Sequence, residues 1–137
     1  MRVRWEEGTA ALELMLIAPA LILLLAVVVG SGRVVSTKSA VLDVARESAR
    51  AAADAPDPES AAAIANARAR EVAAGLGLDV SRLVIEEDQG TFGRGTPYTV
   101  TVSYRVRLGD LPAFGLLPGS FVVTARHVEL TDRYRSR

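Results

Sequence analysis

The chain contains no cysteine, which excludes disulfide bonds, thiolate metal sites and cysteine nucleophiles. Its single histidine, His127, lies in a predicted strand with no second ligand type clustered nearby, so neither a metal site nor a catalytic triad is predicted. The 16 basic and 16 acidic residues give a formal net charge of zero, so the composition offers no support for a nucleic-acid-binding surface.

Two further patterns could suggest a chemical site, and neither has the required context. Gly90, Gly93 and Gly95 lie between two predicted strands and open no helix, so the arrangement of a phosphate-binding loop is missing. The acidic run at 86–88 ends a strand and is interpreted as a solvated charge run. We therefore predict that the chain is not an enzyme and binds no cofactor, metal ion or small-molecule substrate.

One long apolar run lies near the N-terminus. From Leu14 to Gly30 every residue is apolar, glycine or proline, and with its flanks the run reaches the ~20 residues needed to cross ~30 Å of hydrocarbon. A secretory signal usually has an apolar core of roughly 7–15 residues and a small-x-small cleavage site, and the candidate at 29–32 is poor. The length favours a retained membrane anchor, with a cleaved signal peptide and a buried helix of a soluble protein as alternatives.

The orientation of this anchor is not decided by the flanking charges. Arg2 and Arg4 precede the apolar run, whereas Arg33 and Lys38 follow it, so the positive-inside count barely discriminates. Long domains translocate largely regardless of charge, so we expect the larger C-terminal part to be exported. This predicts a single-pass protein in the cell membrane, with its N-terminus cytoplasmic, its C-terminal domain extracytoplasmic and membrane lipid as a partner.

Two residues are unusual in such a segment. Glu13 is an ionisable residue at the start of the apolar run, where a charge is costly and usually functional. The alternative is a helix-start carboxylate near the interface, favoured by the helix dipole. Pro19 removes one helical hydrogen bond and predicts a kink, which membrane helices tolerate. A kink without functional consequence remains the alternative for Pro19.

The block Gly8-Thr9-Ala10-Ala11-Leu12-Glu13, followed at once by the apolar run, resembles the prepilin-peptidase site of type IV pilin-like proteins. The resemblance implies cleavage between Gly8 and Thr9 on the cytoplasmic side, which makes Glu13 the fifth residue of the mature chain. It implies a prepilin peptidase as a partner.

The remainder of the chain extends this resemblance. With the segments VLDVARESARAAA and YTVTVSYRVRLGDLPAFGLLPGSFVVTARHVELTDRY, the sequence resembles the TadE-like family, minor pseudopilins of the tight-adherence (Flp-type) pilus system. Leu14 stands where major pilins of that system often have an aromatic residue, which favours a minor pseudopilin. The resemblance implies other pilins, pseudopilins and the pilus assembly machinery as partners, and a place in the membrane or the pilus. The alternative is a signal-anchored or secreted binding domain with no pilus role.

Cleavage after Gly8 would give Glu13 a physical rationale. The new amine of Thr9 would lie four helical steps from Glu13, about 6 Å along the axis. A neighbouring subunit displaced by about that distance can place its amine beside this Glu13, and an amine and a carboxylate paired in hydrocarbon cost far less than either alone. This predicts that Glu13 sets the register between subunits.

The hydrophobic pattern beyond the anchor predicts an α+β domain in which the first helix continues to residue 53. Its buried stripe is predicted to contain Val34, Val41, Leu42, Ala45, Ala49 and Ala52, with Lys38 falling unexplained inside it. A second helix is predicted from Pro58 to about Ala74, capped by Asp57 and ended by Gly75 or Gly77. The predicted buried side of this second helix consists of Ala61, Ala65, Ala69, Val72 and Leu76.

Strand-like alternation follows at 81–87, 98–108 and 121–130 and predicts a three-stranded antiparallel sheet with one buried face. The apolar connector before the last strand contains Leu111, Phe114, Leu116 and Leu117, and we expect it to cover the core, with a contact patch as the alternative. The predicted organisation is a leader at 1–8, a transmembrane helix at 9–32 and a pilin-like extracytoplasmic α+β domain at 33–137.

Overall fold

The computed structural model describes residues 4–90, 95–111 and 118–131, with side chains from residue 12 onward. Two helices, α1 (Arg4–Ala53) and α2 (Pro58–Gly75), precede three strands, β1 (Leu83–Asp88), β2 (Pro97–Arg107) and β3 (Ser120–Leu130). The strands form one antiparallel sheet in the order β1-β2-β3. The predicted α+β class, with a long first helix, a second helix and a three-stranded antiparallel sheet, is confirmed.

Helix α1 is a single element of 50 residues, about 75 Å long at ~1.5 Å per residue. It begins at Arg4 and contains Pro19 without ending there. The kink predicted at Pro19 stays a prediction. The helix also passes through residues 8–9 and 32–33, so the proposed limits of leader, anchor and domain coincide with no break in secondary structure and stay predictions.

The buried face of α1 lies to one side of the predicted stripe. Val41, Val44, Ala45, Ala49 and Ala52 are fully buried, together with Ser48. Leu42, predicted to be buried, is 39% exposed, so that placement was wrong, whereas Lys38, which fell unexplained inside the predicted stripe, is exposed. The reason is that α2 and the sheet both pack against α1, and the side of the helix that they cover contains Val41, Val44, Ala45 and Ser48.

Helix α2 begins and ends at the residues that the sequence predicts. The carboxylate of Asp57 accepts a hydrogen bond from the Ser60 N–H at 2.8 Å, and Pro58 occupies the first turn. The helix ends at Gly75, and Gly77 takes a φ of +75° while the Leu78 N–H donates to the Ala73 carbonyl at 2.9 Å. This left-handed glycine and its hydrogen bonds form a Schellman end.

The buried side of α2 consists of Ala61, Ala65, Ala69 and Ala73, while Val72 is only partly buried. Leu76, predicted to be buried, is 46% exposed, because it lies one residue beyond the helix where the backbone has left helical geometry. Alanine faces on both helices permit close approach of α1 and α2, and an ion pair between Arg68 and Glu47 at 3.3 Å joins them at the edge.

The sheet packs its inner face against α1. Tyr98, Val100, Val102, Tyr104 and Val106 of β2 are buried, as the alternation predicts, but Thr99 of the predicted outer face is buried as well. The alternation stops before Leu108 because that residue starts a short 3-10 turn, Leu108–Asp110. Strand β1 begins at Leu83 rather than at residue 81, because Val80–Arg82 form another 3-10 turn capped by the Asp79 carboxylate.

The connector before β3 is described only at its ends. Leu111 is 9% exposed and thus part of the core, as predicted. The predicted roles of Phe114, Leu116 and Leu117 lie outside the described residues.

Candidate functional site: the exposed half of helix α1

The first half of α1 has an uncovered apolar surface. Large apolar side chains from Leu12 to Val35 are exposed, with Leu16, for example, at 78%. Within the described helix Leu12–Ala53, an 18-residue window has a mean hydropathy of 2.8 and only 6% of it is buried. This low burial argues against the buried helix of a soluble protein. One apolar helix of this length near the N-terminus is compatible with a single-pass membrane anchor.

Glu13 lies at the N-terminal end of this apolar surface. Its neighbours Leu12 and Leu14 are 63% and 69% exposed, so the carboxylate belongs to a surface that would meet lipid or another protein. Among the side chains that the structure describes, none forms an ion pair with Glu13. A carboxylate in this position needs a partner from outside these side chains if it enters hydrocarbon ionised.

Gly8 and Thr9 lie inside α1, one helical turn before Glu13. The three predicted positions are therefore on one continuous helix, followed by Pro19 within the apolar surface. Cleavage at Gly8 and Thr9 and the register role of Glu13 stay predictions.

This arrangement of a small-residue start, a carboxylate and a long exposed apolar helix coincides with a family match. Residues 8–50 match the model of the TadE-like protein family. The predicted family resemblance is confirmed, and the matched segment begins at Gly8 and ends in the last turn of α1. No curated protein and no solved structure matches the chain. Helix α2 and the sheet lie beyond the TadE-like segment.

The TadE-like segment ends inside the domain core, because its last turns carry the buried residues Val44, Ala45 and Ala49. Ser48 is also buried, and its hydroxyl donates to the Val44 carbonyl at 2.6 Å. A buried hydroxyl that is satisfied within its own helix needs no external partner. The segment thus joins an uncovered apolar half to a half that is fully packed.

A polar cluster that the sequence did not indicate lies between α2 and the sheet. The Tyr98 hydroxyl donates to one carboxylate oxygen of Glu87 at 3.1 Å, and the Asn66 amide donates to the other. Burial raises the pKa of Glu87 above its ordinary 4.5, although both hydrogen bonds act in the opposite direction. Burial, together with the nearby Glu87, also raises the pKa of the Tyr98 hydroxyl.

This cluster corrects the interpretation of the acidic run at 86–88. Glu86 and Asp88 are exposed as expected, but Glu87 is half-buried on the inner face. The sequence spacing could have predicted the burial of Glu87, because this residue lies two positions after Ile85 and therefore shares its face of the strand. The hydrogen bond from Asn66 to Glu87 joins α2 to the sheet.

His127 lies on the inner side of β3, with its Nε2 atom 3.3 Å from the Glu129 carboxylate. Within the described parts of the chain, no group of three or more His, Asp or Glu side chains is placed to hold a metal ion.

Proposed function

We propose that this chain is a minor pseudopilin that acts in assembly of a tight-adherence (Flp-type) pilus after cleavage between Gly8 and Thr9 by a prepilin peptidase. The observation that carries the proposal is the two-part helix α1 within the TadE-like segment. Its first half is apolar and uncovered, and its second half is buried in the domain core from Val41 onward. Such a helix can leave lipid and pack against similar helices without unfolding the domain.

Glu13 gives the assembly its register in this proposal. Moving the first half of α1 from lipid into a bundle of like helices conserves its apolar contacts. The Glu13 carboxylate, however, then needs a counter-charge from another chain. The Thr9 amine of a neighbour, displaced by about 6 Å along the helix, supplies that charge. The pairing occurs only in one axial register, so it selects one arrangement among many similar apolar ones.

In this function the chain is a substrate of the peptidase and a partner of other pilins and the assembly machinery, and it catalyses no reaction. The helix is inserted with Gly8 on the cytoplasmic side, where the peptidase acts in the family it resembles. The domain from residue 33 lies outside the cytoplasm, and the mature chain is in the membrane until it enters the pilus.

The experiment that tests the proposal is intact-mass and N-terminal mass spectrometry of the protein extracted from membranes. We expect a mature chain that begins at Thr9. A chain that begins near Ser31 would instead identify a secreted domain with no pilus role, and an uncut chain would identify a plain signal anchor. Co-purification of the mature chain with pilins then tests the assembly role separately from the cleavage.

A further inference from the structure

The end of the domain nearest the predicted membrane segment is strongly basic. We define the basic rim as Arg33, Lys38, Arg82, Arg105 and Arg107. A groove of about 460 Å³ shows which part of α1 lies beside the domain residues of the rim. It is lined by Arg33 and Ala40 of α1 and by Arg82 and Tyr104 of the domain. The end of β2 and the start of β1 therefore lie beside the first helical turns after the apolar run.

We define the acidic end by the carboxylates Glu86, Asp88, Asp54 and Asp57 at the opposite end of the domain. Glu86, Asp88 and Arg126 line a surface pocket near the far ends of β1 and β3, and Asp54 and Asp57 lie in the α1–α2 connection. The antiparallel pairing places Arg105 and Arg107 at one end of the sheet and Glu86 and Asp88 towards the other. Composition alone could not show this separation, because it depends on the antiparallel strand order.

The rim's own carboxylates do not cancel its positive charge. Asp79 lies 3.1 Å from the Arg82 guanidinium, and Asp110 also pairs with Arg82. These two carboxylates outweigh the single positive charge of Arg82, whose side chain is only 19% exposed, and the charge of Arg107 also helps to lower the pKa of Asp79. The five cations of the rim with these two carboxylates therefore keep a net charge of +3. Among the described residues, Arg105 and Arg107 form no ion pair within 4.0 Å, and both are exposed.

These arginines line a second surface pocket. A cavity of about 300 Å³ on the outer face of the sheet is bordered by Arg82, Arg105 and Arg107, with two valine side chains and two serines completing it. Arginine presents a planar fork of donors that matches a phosphate group. The apolar valine surface beside the arginines suits an amphipathic ligand better than a fully hydrated ion.

The position of the rim favours a lipid headgroup over a free anion as the ligand of this pocket. The uncharged run ends at Gly32, and residues 33–40 of the same helix lie about 2–12 Å beyond it at ~1.5 Å per residue. The headgroup layer extends about 5–7 Å beyond the hydrocarbon on each side, and charges act over a Debye length of ~8 Å. No flexible linker separates the apolar run from the domain, since α1 is continuous, so a helix α1 anchored as proposed above holds the rim near this layer.

We propose that the pocket of Arg105 and Arg107 binds the phosphate of an anionic phospholipid headgroup, which seats the domain on the membrane surface. The proposal rests on the membrane anchoring proposed above. It adds a step that assembly must reverse, because a subunit that leaves the membrane must release this headgroup. The partner is a lipid surface, and the acidic end of a second copy of the chain is the competing occupant that the experiment must separate.

The test is native mass spectrometry of the full chain released from nanodiscs that contain a mixture of phosphatidylcholine and phosphatidylglycerol, loaded at one chain per disc. We expect retained phosphatidylglycerol to exceed its share of the mixture by about fivefold for each arginine, the equivalent of ~1 kcal/mol. The variant Arg105→Gln/Arg107→Gln should lose this enrichment. The matched control, Arg50→Gln/Arg126→Gln, removes the same charge at the acidic end and should keep it.

Several outcomes would overturn the proposal. These are no enrichment in the parent, an equal loss in the control variant, or an unchanged enrichment in the Arg105→Gln/Arg107→Gln variant whose circular dichroism matches that of the parent. Displacement of the lipid by inorganic phosphate at equal concentration would identify a free-anion site instead. Dimers that form in pure phosphatidylcholine and depend on these arginines would show that a second copy of the chain occupies the pocket. The nanodiscs contain no pilus components, so failure here leaves the pseudopilin function untouched, whereas failure to insert at all would contradict the anchor.

Discussion

Gly8 is the residue on which the proposed processing depends. It has no side chain, so the peptidase accommodates only backbone before the cut. We expect Gly8→Leu to leave an unprocessed, membrane-bound chain whose mass is larger by the first eight residues. Ala20→Leu, a similar but slightly smaller addition at an exposed position within the apolar run, is the control and should be cut normally. Normal cleavage of Gly8→Leu, seen by intact-mass spectrometry, would contradict the assigned site.

Glu13 should matter for assembly more than for insertion. Glu13→Ala makes the span more apolar, so we expect insertion at least equal to that of the parent. If a neighbour's Thr9 amine pairs with Glu13, the variant leaves that amine unpaired in hydrocarbon, and breaking one side of a buried ion pair costs ~3–5 kcal/mol. A helix-start role would cost only ~0.3–1 kcal/mol.

The measurement is crosslinking or co-purification of the variant with the pilus machinery at matched membrane levels. Leu14→Ala, which changes an adjacent and similarly exposed residue, is the control. Recovery of Glu13→Ala equal to that of the parent would eliminate the register role.

Glu87 gives the domain a specific pH dependence. Its folded-state pKa is raised above 4.5, so between pH 4.5 and the folded-state value the folded chain binds more protons than the unfolded chain. The free energy of unfolding must therefore fall as pH rises through this window. We expect Glu87→Gln to flatten this decline, as measured by denaturant midpoints of the full chain in detergent across a series of pH values.

The control for this series is Glu86→Gln, since Glu86 is the exposed neighbour and should leave the decline in place. Asp79 affects the free energy of unfolding in the opposite direction, because hydrogen bonds from Ser81 lower its pKa below the ordinary 3.8. The stability that Asp79 contributes is lost as pH falls through its folded-state pKa. Measurement above pH 4.5 therefore isolates Glu87. An identical slope in the parent and Glu87→Gln would contradict the burial of this carboxylate.

At the scale of elements, the contact between α1 and α2 depends on alanine. Ala65 is fully buried on α2, so Ala65→Leu must push the helices apart, and such overpacking costs ~1–3 kcal/mol. For a domain of this size each 1 kcal/mol lowers the melting temperature by about 4–8 °C. Ala67→Leu adds the same atoms at an exposed position two residues on and should change stability by less than ~0.5 kcal/mol. Equal melting temperatures for both variants would show that the helices are not closely packed.

The elements themselves could be predicted where their signals are local. The ends of α2 follow from Asp57, Pro58 and Gly77, which act on backbone within a few residues. The alternation of β2 follows from strand geometry alone. The buried face of α1 was predicted with errors, because Leu42 and Val44 are equally apolar and only the arrangement of α2 and the sheet decides which one is covered.

At the scale of the whole molecule, the domain should fold without its anchor. The core contacts of α1 begin at Val41, so a fragment of residues 39–137 retains every fully buried residue of the described core. We expect it to be soluble and to show a cooperative thermal transition with mixed α and β circular dichroism. A fragment of residues 55–137 lacks Val41, Val44, Ala45 and Ala49 and should not fold. A disordered 39–137 fragment would show that the membrane helix completes the core.

The sequence alone determined the number and order of the helices and strands. It also determined that the uncharged run is long enough to cross a membrane and that the Gly8 to Glu13 pattern lies at the start of the TadE-like segment. These depend on residues near one another in the chain. The burial of Glu87 against Tyr98 and Asn66 was decided only by tertiary structure, as was the placement of Arg105 and Arg107 towards the opposite end of the sheet from Glu86 and Asp88. Both bring together side chains from elements distant in sequence, and a balanced composition is unchanged by where the fold places its charges.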